Sequence, residues 1–244
     1  GKKMIGWSEK FPAKKIDEHT YRGVGMAVTM QGSGISGIDN GAATLRLNDD
    51  NFYTLMIGAT DMGTGCDTIL AQMAAEVLLC PVSRITVDGV DTDHSPYDTG
   101  SYASASTYIT GNAVVRAAEA LVKKMQAGAA ALLNVPADEL AFDGDSFFCE
   151  AGRVTLEALA QQSVVGSGQW LTATESFGSP VSPPPFVAGF AEVEVDTDTG
   201  EVKLLDFVGV VDCGTVVNPI LARVQAEGGL AQGIGMALYE DITY

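Results

Sequence analysis

Alternation of apolar and polar residues predicts most of the strands in this chain. A period of two is typical of strands that bury one face and expose the other. Residues 48–51 and 196–200 favour turns, and each set lies between two alternating runs, so each predicts a hairpin. The alternating runs are residues 21–31, 42–47, 52–59, 190–195 and 202–211.

A period near 3.6 predicts the helices. The clearest helix spans residues 67–79 and is followed by Pro81 and by a strand predicted at residues 84–88. A long helix is expected over 107–133. Lesser elements are a short amphipathic helix within 1–20, two short strands turning at 143–145, and a short helix at 156–162.

The last predicted helix, residues 220–238, is rich in glycine. Glycine in a helix costs roughly 1 kcal/mol relative to alanine. We expect close packing against other backbone to compensate for this cost. The glycines are Gly228, Gly229, Gly233 and Gly235.

Two glycines separate a strand from a helix at residues 61–68, Asp-Met-Gly-Thr-Gly-Cys-Asp-Thr. Glycines there let the backbone approach a ligand, and free N–H groups at the helix start favour an anion or an acceptor-rich ligand. We expect Asp67 or Thr68 to cap the helix. Taken alone, this first loop is more simply explained as a plain strand-to-helix turn.

A second loop of similar character extends over residues 89–106. Its final residues, Ala-Ser-Ala-Ser at 103–106, lead directly into the long predicted helix. Serine hydroxyls and free amides at a helix start suit phosphate or other acceptor oxygens. Disorder is the alternative for a loop of this length, although lysine and glutamate are absent from it. A separate flexible loop is predicted at residues 32–37.

The elements together indicate an α+β fold with two lobes of mixed or antiparallel sheet and packed helices. The proline-rich residues 179–185 mark the clearest boundary. We therefore expect a first lobe over 1–178 that carries both loops. The start of a second lobe, with a hairpin and the glycine-rich helix, is expected over 179–244.

Charge and cysteine content exclude several classes of function. The 244 residues carry 31 acidic and 14 basic side chains, a formal charge of −17, which disfavours nucleic acid and anionic membrane surfaces as partners. The four cysteines have no metal-type spacing, so we expect no zinc or haem site and a reduced, cytoplasmic setting. No apolar run approaches the length of a membrane span.

Common catalytic motifs are absent from the sequence. There is no Gly-x-Ser-x-Gly elbow and no Gly-Lys-Ser/Thr phosphate loop. Gly23 and Gly25 begin a dinucleotide-like pattern, but no third glycine and no helix follow. Asp93 and His94 are neighbouring acid–base groups, which we interpret as stabilising their loop rather than as catalysts.

Six motifs follow one another along the chain. They are the octapeptide at 61–68, Asp-Thr-Gly-Ser-Tyr-Ala-Ser-Ala-Ser at 98–106, Glu-Val-Glu-Val-Asp at 192–196, Val-Asp-Cys-Gly-Thr-Val-Val-Asn-Pro at 211–219, Val-Gln-Ala-Glu-Gly-Gly at 224–229 and Gln-Gly-Ile-Gly at 232–235. In this order they resemble the large molybdenum subunit of the xanthine dehydrogenase and aldehyde oxidoreductase family. The similarity extends from about Ile5 to the end of the sequence.

The resemblance implies a molybdopterin cofactor, in bacterial relatives usually molybdopterin cytosine dinucleotide, whose molybdenum has no protein ligand. Gln225 matches the glutamine that hydrogen-bonds the pterin region. The other residues implied to contact the cofactor are Met62, Gly63, Thr64, Gly65, Cys66 and Asp67 of the first loop and Ala103, Ser104, Ala105 and Ser106 of the second.

Two departures from the family pattern stand out. Many members have glutamine where this chain has Thr64, which puts the substrate in doubt. The family's general base is a glutamate in a Gly-Glu context downstream of the Gln225 helix, whereas Glu201 lies in a predicted hairpin turn. We therefore expect that glutamate beyond Tyr244, and expect this chain to be an internal piece of a longer subunit and inactive alone.

The resemblance implies that the parent enzyme hydroxylates an N-heterocycle of the purine type, or an aldehyde, with oxygen from water. Electrons would leave through iron–sulfur and flavin partners on other domains or subunits. Carbon monoxide oxidation and aryl-CoA dehydroxylation on the same fold are alternatives. A further alternative is a protein that binds the cofactor or acts as a scaffold without catalysing a reaction.

Overall fold

A computed structural model describes residues 1–244, apart from the side chain of Ser167. The α-helices are α1 Lys2–Ile5, α2 Trp7–Lys10, α3 Cys66–Leu78, α4 Ile109–Leu133, α5 Leu156–Gln162 and α6 Pro219–Leu238. The strands are β1 Lys14–Lys15, β2 Thr20–Met30, β3 Asn40–Leu47, β4 Tyr53–Ile57, β5 Ile85–Gly89, β6 Ala141–Phe142, β7 Ser146–Cys149, β8 Gly152–Thr155, β9 Thr172–Gly178, β10 Phe186–Asp196 and β11 Val202–Asp212. The predicted α+β class with mixed and antiparallel sheets is confirmed.

The chain forms two compact units, one of residues 1–32 and 183–244 and the other of residues 33–182. This division differs from the expected lobes 1–178 and 179–244. Residues 1–32 belong with the C-terminal segment because β2 pairs along its whole length with β10, from Thr20 opposite Asp196 to Met30 opposite Phe186. Such a long-range pairing is not visible in local sequence patterns.

The unit of residues 1–32 and 183–244 contains an antiparallel sheet in the order β1-β2-β10-β11. The predicted hairpin is β10 and β11, and its register shifts at Glu192 and Val193. Glu192 is buried, and its carboxylate accepts a hydrogen bond from Lys10 Nζ at 2.6 Å. Gly23 and Gly25 lie within β2, and the next element along the chain is a strand rather than a helix.

The unit of residues 33–182 is built on a mixed sheet in the order β5-β4-β3-β9. β3 buries every second residue, as its alternation predicts, and Leu45 and Leu47 are almost completely buried. The helices α3 and α4 cover this sheet through Leu70 and Leu121, which are also fully buried.

β9 was not predicted, because it alternates weakly and its only fully buried apolar residue is Ala173. It pairs antiparallel with β3 and completes the edge of the mixed sheet. The strands β6, β7 and β8 form a separate small sheet, of which the sequence predicted the first two.

Candidate functional site

The first loop connects β4 to α3 at the carboxyl end of β4. Ile57 is the last residue of β4, and Cys66 is the first of α3. β5 follows α3 and pairs with β4 in parallel, from Tyr53 opposite Ile85 to Ile57 opposite Gly89. The predicted strand–loop–helix–strand unit is therefore confirmed, and its loop lies at the edge where open α/β sheets bind ligands.

The Asp61 carboxylate organises this loop from within. Its Oδ1 accepts the N–H groups of Gly63 at 2.9 Å and Gly65 at 3.1 Å, and its Oδ2 accepts that of Asp67 at 3.4 Å. These bonds, with that from Gly65 the strongest, lower the pKa of Asp61. The expectation that Asp67 or Thr68 caps α3 is wrong, because Asp61 performs that role from four residues before the N-cap position, Gly65.

These hydrogen bonds change what the first loop offers to a ligand. The N–H groups of Gly63, Gly65 and Asp67 already have an acceptor inside the protein. The loop presents Met62, which is 68% exposed, and Gly63, which has a φ of 101° and open space where a Cβ would lie. Thr64 is half-buried beside them.

Cys66 is buried, and its Sγ donates to Asp67 Oδ1 at 3.8 Å. Burial, followed by the charges of Asp61 and Asp67, raises the pKa of the Cys66 thiol to about 11. The pKa of Asp67 is also raised, chiefly by burial. Cys66 is therefore a protonated thiol at neutral pH and a poor nucleophile.

The second loop contains two consecutive non-glycine residues with left-handed backbone. Ala103 has a φ of 50° and Ser104 a φ of 59°. Such residues cost of order 1 kcal/mol each and cluster at ligand sites. After this turn, α4 begins at Ile109 rather than at the predicted residue 107.

Hydrogen-bond donors remain free between this turn and α4. Ser104 is exposed and Ser106 is half-buried, whereas Ala105 is buried and donates its N–H to Tyr102 O at 3.2 Å. Within the described residues, the N–H groups of Ser106 and Thr107 donate to no acceptor, and no side chain caps α4. At the start of α3, Asp61 accepts the N–H of Asp67, whereas the N–H groups of Cys66 and Thr68 donate to no acceptor within the described residues.

Asp98 fastens the second loop to α4. Its Oδ1 accepts the N–H of Gly100 at 2.8 Å, and its Oδ2 accepts the hydroxyl of Thr110 at 2.7 Å. Thr110 is almost completely buried. Sequence analysis missed this role, although the Asp-x-Gly pattern is a signal for a carboxylate that bonds the amide two residues on.

Residues 34–39 pack against the second loop from another side. The N–H of Gly34 donates to Ala103 O at 2.7 Å. Asp39 is 2% exposed; its Oδ2 accepts the Ile35 N–H at 2.6 Å, while its Oδ1 has no partner among the described residues. The Asp39 carboxylate raises the pKa of the Tyr102 hydroxyl. The segment predicted as a flexible loop thus supports the backbone of the second loop.

The two loops meet where their chains leave the sheet. Ser101 Oγ donates to Thr60 O at 3.4 Å. A Cβ at Gly58 would lie 2.4 Å from Pro96 O and 2.8 Å from Asp98 Cβ, so only glycine permits this approach. The loops, predicted separately, therefore lie side by side in one unit.

Gln225 lies on α6, in the other unit, and is exposed. Asn218 caps this helix by accepting the N–H groups of Ile220 and Leu221 at 3.1 Å each. The expectation of close packing at the helix glycines is not met within this unit. A Cβ would meet no atom within 4 Å at Gly228, Gly229 and Gly233.

Asp61, Cys66 and Asp67 bring potential metal ligands within 4.8 Å of one another. Both oxygens of Asp61 already accept backbone amides, and the Cys66 thiol is protonated at neutral pH. The group is better described as a capping network than as a metal site. The four cysteines are free thiols, and no helix in the described chain is long and apolar enough to cross a membrane.

His94 belongs to a local network between β5 and the second loop. Its Nε2 lies 2.8 Å from Asp88 Oδ2 and its Nδ1 3.5 Å from Asp91 Oδ2. The hydrogen bond with Asp88 raises the pKa of His94. Asp93 donates its N–H to Asp91 Oδ1. These contacts support the interpretation that His94 stabilises the loop, to which Asp93 contributes through its backbone.

A family model described as the molybdopterin cofactor-binding domain matches residues 1–244. The chain belongs to this family. The probable hypoxanthine oxidase XdhD of Escherichia coli K12 is 39% identical over 246 residues, which cover 100% of this chain and 25% of that protein. The putative xanthine dehydrogenase molybdenum-binding subunit XdhA of the same strain is 32% identical over 252 residues, which cover 99% of this chain and 34% of XdhA.

The fold is shared with a solved structure of the same family. The reconstituted CO dehydrogenase from Oligotropha carboxidovorans superimposes with a TM-score of 0.78 at 29% identity, over 93% of this chain and 30% of that chain. The present chain thus spans 25% to 34% of the lengths of these relatives.

The donors of the two loops fit the polar parts of a molybdopterin cofactor. Free N–H groups and serine hydroxyls before α4 suit phosphate oxygens. The first loop offers an open glycine backbone and the Thr64 hydroxyl beside an exposed methionine.

Proposed function

We propose that this chain is part of a molybdenum hydroxylase and that its two loops bind the molybdopterin cofactor. The observation that carries the proposal is the junction of the loops at the carboxyl end of β4, where Ser101 bonds to Thr60. In the first loop, Met62 and Gly63 are exposed, and Thr64 is half-buried beside them. When bound, the molybdenum of such a cofactor supplies two-electron redox chemistry.

The residues proposed to contact the cofactor divide by chemistry. In the second loop, Ser104 and Ser106 supply hydroxyls, Ser106 also supplies a free N–H group, and Ala103 and Ala105 shape the turn. In the first loop, Gly65, Cys66 and Asp67 act by their backbone positions, because Asp61 fixes them. Gln225 remains a proposed contact with the pterin region from α6.

For the whole protein we propose hydroxylation of a purine-like N-heterocycle, with oxygen from water. The names of XdhD and XdhA, a hypoxanthine oxidase and a xanthine dehydrogenase subunit, support this class of substrate. Aldehydes and carbon monoxide remain alternative substrates, the latter favoured by the similarity to CO dehydrogenase. The name of XdhA as a subunit supports partner subunits, for which we propose iron–sulfur and flavin groups.

Metal and nucleotide analysis of the full-length protein tests the proposal. We expect molybdenum and, after denaturation, released cytidine monophosphate, as molybdopterin cytosine dinucleotide requires. Absence of both would contradict cofactor binding. Turnover of hypoxanthine, xanthine, an aldehyde and carbon monoxide by the same preparation then distinguishes the substrate classes, and bound cofactor without any turnover would support the scaffold alternative.

A further inference from the structure

The unit of residues 1–32 and 183–244, here called the terminal unit, has almost no core of its own. Its buried residues, in the part of the chain that the structure describes, are Ile5, Phe190 and Glu192. The large apolar core cluster lies wholly in the unit of residues 33–182. A folded domain normally has its own hydrophobic core. The terminal unit therefore lacks part of the packing that a domain needs.

Helix α2 covers one end of a face of the terminal unit's sheet. The ring of Trp7 meets that of Phe190 edge to face, with the ring centroids 6.3 Å apart. Glu192 is two residues further along β10 and so lies on the same face. Its carboxylate accepts a hydrogen bond from Lys10 of α2 at 2.6 Å. This end of the face is therefore closed.

The rest of that face is apolar and uncovered. The pairing of the strands puts Met26 of β2 opposite Phe190, and it puts Val28 of β2 and Val210 of β11 opposite the same residue of β10. Residues that are opposite each other, or two apart on one strand, lie on the same face of a sheet. Val28 is 64% exposed and Met30 60% exposed, although the water-facing side of an antiparallel sheet is normally polar. The exposed apolar residues of this face, here called the open face, are Met26, Val28, Met30, Phe186 and Val210.

Helix α6 lies against the opposite face of the sheet and is itself incompletely packed. A Cβ at Gly209, the neighbour of Val210, would lie 2.4 Å from Leu230 Cδ1 of α6. None of the 20 residues of α6, all of which the structure describes, is buried. A helix with apolar residues on all sides is normally buried, yet Ile220 is 75% exposed. Both sides of the terminal unit therefore carry apolar surface that a complete domain would bury.

The lengths of the relatives indicate what covers the open face. This chain covers 25% of XdhD and 34% of XdhA, and the two matches include at least 99% of this chain. These relatives thus carry the matched region inside a much longer polypeptide. A segment of the same polypeptide reaches the face without the entropic cost of bringing two molecules together. A second copy of this chain would instead add another formal charge of −17, which opposes association.

We propose that the open face is the docking surface for a segment of the same polypeptide that lies outside residues 1–244. That segment presents apolar side chains to Met26, Val28 and Met30, and it supplies the core that the terminal unit lacks. One domain is thereby assembled from parts that are far apart in the sequence. Docking on the open face does not depend on cofactor binding, because its basis is uncovered apolar surface and the length of the relatives.

Photo-cross-linking in the full-length protein tests this proposal. The photoreactive residue p-benzoylphenylalanine is placed in turn at Val28, at Val210 and, as a matched control, at Val202. Val202 and Val210 belong to the same strand and are each 42% exposed. The register shift at Glu192 and Val193 turns Val202 to the opposite face. We expect positions 28 and 210 to cross-link to residues outside 1–244 of the same polypeptide, with a lower yield from position 202.

Methionine oxidation examines the unmodified protein, in which no bulky probe disturbs docking. Met26 and Met30 should react with hydrogen peroxide at least about tenfold more slowly in the native full-length protein than in urea, because a covered side chain reacts only after local opening. Nearly equal rates in the two states would show that the open face is bare, and would overturn the proposal.

The cross-linked partner decides the occupant. In a mixture of nitrogen-15-labelled and unlabelled protein, cross-linked peptides of mixed label form only when two copies are joined. Cross-links between copies, to another protein or within residues 1–244 overturn the proposal. Protection of Met26 and Met30 that neither position 28 nor position 210 traces to the rest of the polypeptide overturns it as well. An equal yield from position 202 also overturns it, because contact would then not be specific to the open face. The molybdenum content of the same preparation tests the proposed function separately.

Discussion

The Asp98 carboxylate and the Thr110 hydroxyl form a 2.7 Å hydrogen bond that ties the second loop to the buried start of α4. The other oxygen of Asp98 holds the N–H of Gly100. One side chain thus sets both the entry and the exit of the turn at Ala103 and Ser104. If these residues contact a cofactor, their positions depend on Asp98.

We predict that Asp98→Ala lowers the free energy of unfolding by about 2 to 3 kcal/mol, because it leaves the buried Thr110 hydroxyl without a partner. Asp98→Asn, which retains one acceptor, should cost about 1 kcal/mol. Urea unfolding measures both. Asp93→Ala is the control, since it removes a carboxylate from the same segment that makes no such bond to α4.

A double-mutant cycle with Thr110→Val isolates this interaction. The coupling free energy between Asp98→Ala and Thr110→Val should be about 1 kcal/mol in favour of the native pair. If the two substitutions changed the free energy of unfolding additively, the coupling would be zero. The hydrogen bond between Asp98 and Thr110 would then not stabilise the fold.

We predict that Gly58→Ala destabilises the fold by about 1 to 3 kcal/mol, because overlap with backbone forces two segments apart. The new methyl group would lie 2.4 Å from Pro96 O. Thermal unfolding measures the change, and hydrogen exchange at residues 96–106 should increase with it. Gly25→Ala in β2 is the matched control, because a Cβ there has open space. Equal stabilities of the two variants would contradict the close approach.

Local patterns were sufficient to predict the elements and loops whose signals lie within a few neighbouring residues. Residues 156–162 form α5 with the predicted bounds because Leu156, Leu159 and Ala160 bury one helical face. The first loop was found because its glycines lie between a strand and a helix that are both strongly patterned. The residues proposed to contact the cofactor came from the family resemblance, not from periodicity.

Relationships between distant residues could not be predicted in this way. The pairing of β2 with β10 joins the two ends of the chain, and no local signal indicates it. The hydrogen bond from the first turn of α3 to Asp61 was missed, because Asp67 and Thr68 lie nearer to the helix start and were predicted to cap it. Free N–H groups were predicted at both helix starts, and the structure adds that Asp61 accepts the N–H of Asp67 at α3.

We predict that Cys66 resists alkylation in the folded protein. Its pKa of about 11, against 9.0 for an ordinary thiol, lowers the thiolate fraction at pH 8 roughly 100-fold, and burial blocks access as well. Mass spectrometry after iodoacetamide treatment should show the exposed Cys213 modified first. In urea all four cysteines should react. Modification of Cys66 as fast as Cys213 in the native state would contradict the buried position.

The first half of the second loop, residues 89–96, should respond to pH through His94. The hydrogen bond to Asp88 raises the pKa of His94 above its ordinary value of 6.5. A group whose folded pKa is raised stabilises the fold fully below the unfolded pKa, and this contribution is lost as the pH rises through the folded value. We therefore predict that residues 89–96 loosen as the pH rises from below 6.5 to above the folded pKa.

Titration of the imidazole by nuclear magnetic resonance tests the cause. Asp88→Asn should lower the pKa of His94, because it removes the largest contribution to the shift. Asp93→Asn should change it less, since the charge of Asp93 makes the smallest contribution, and it serves as the matched control. Hydrogen exchange at residues 89–96, corrected for the intrinsic dependence on pH, should rise with loss of the imidazolium in the wild type. In Asp88→Asn this pH dependence should weaken. A pKa for His94 that is the same in both variants would show that Asp88 does not hold the charged form, and the loosening would then need another cause.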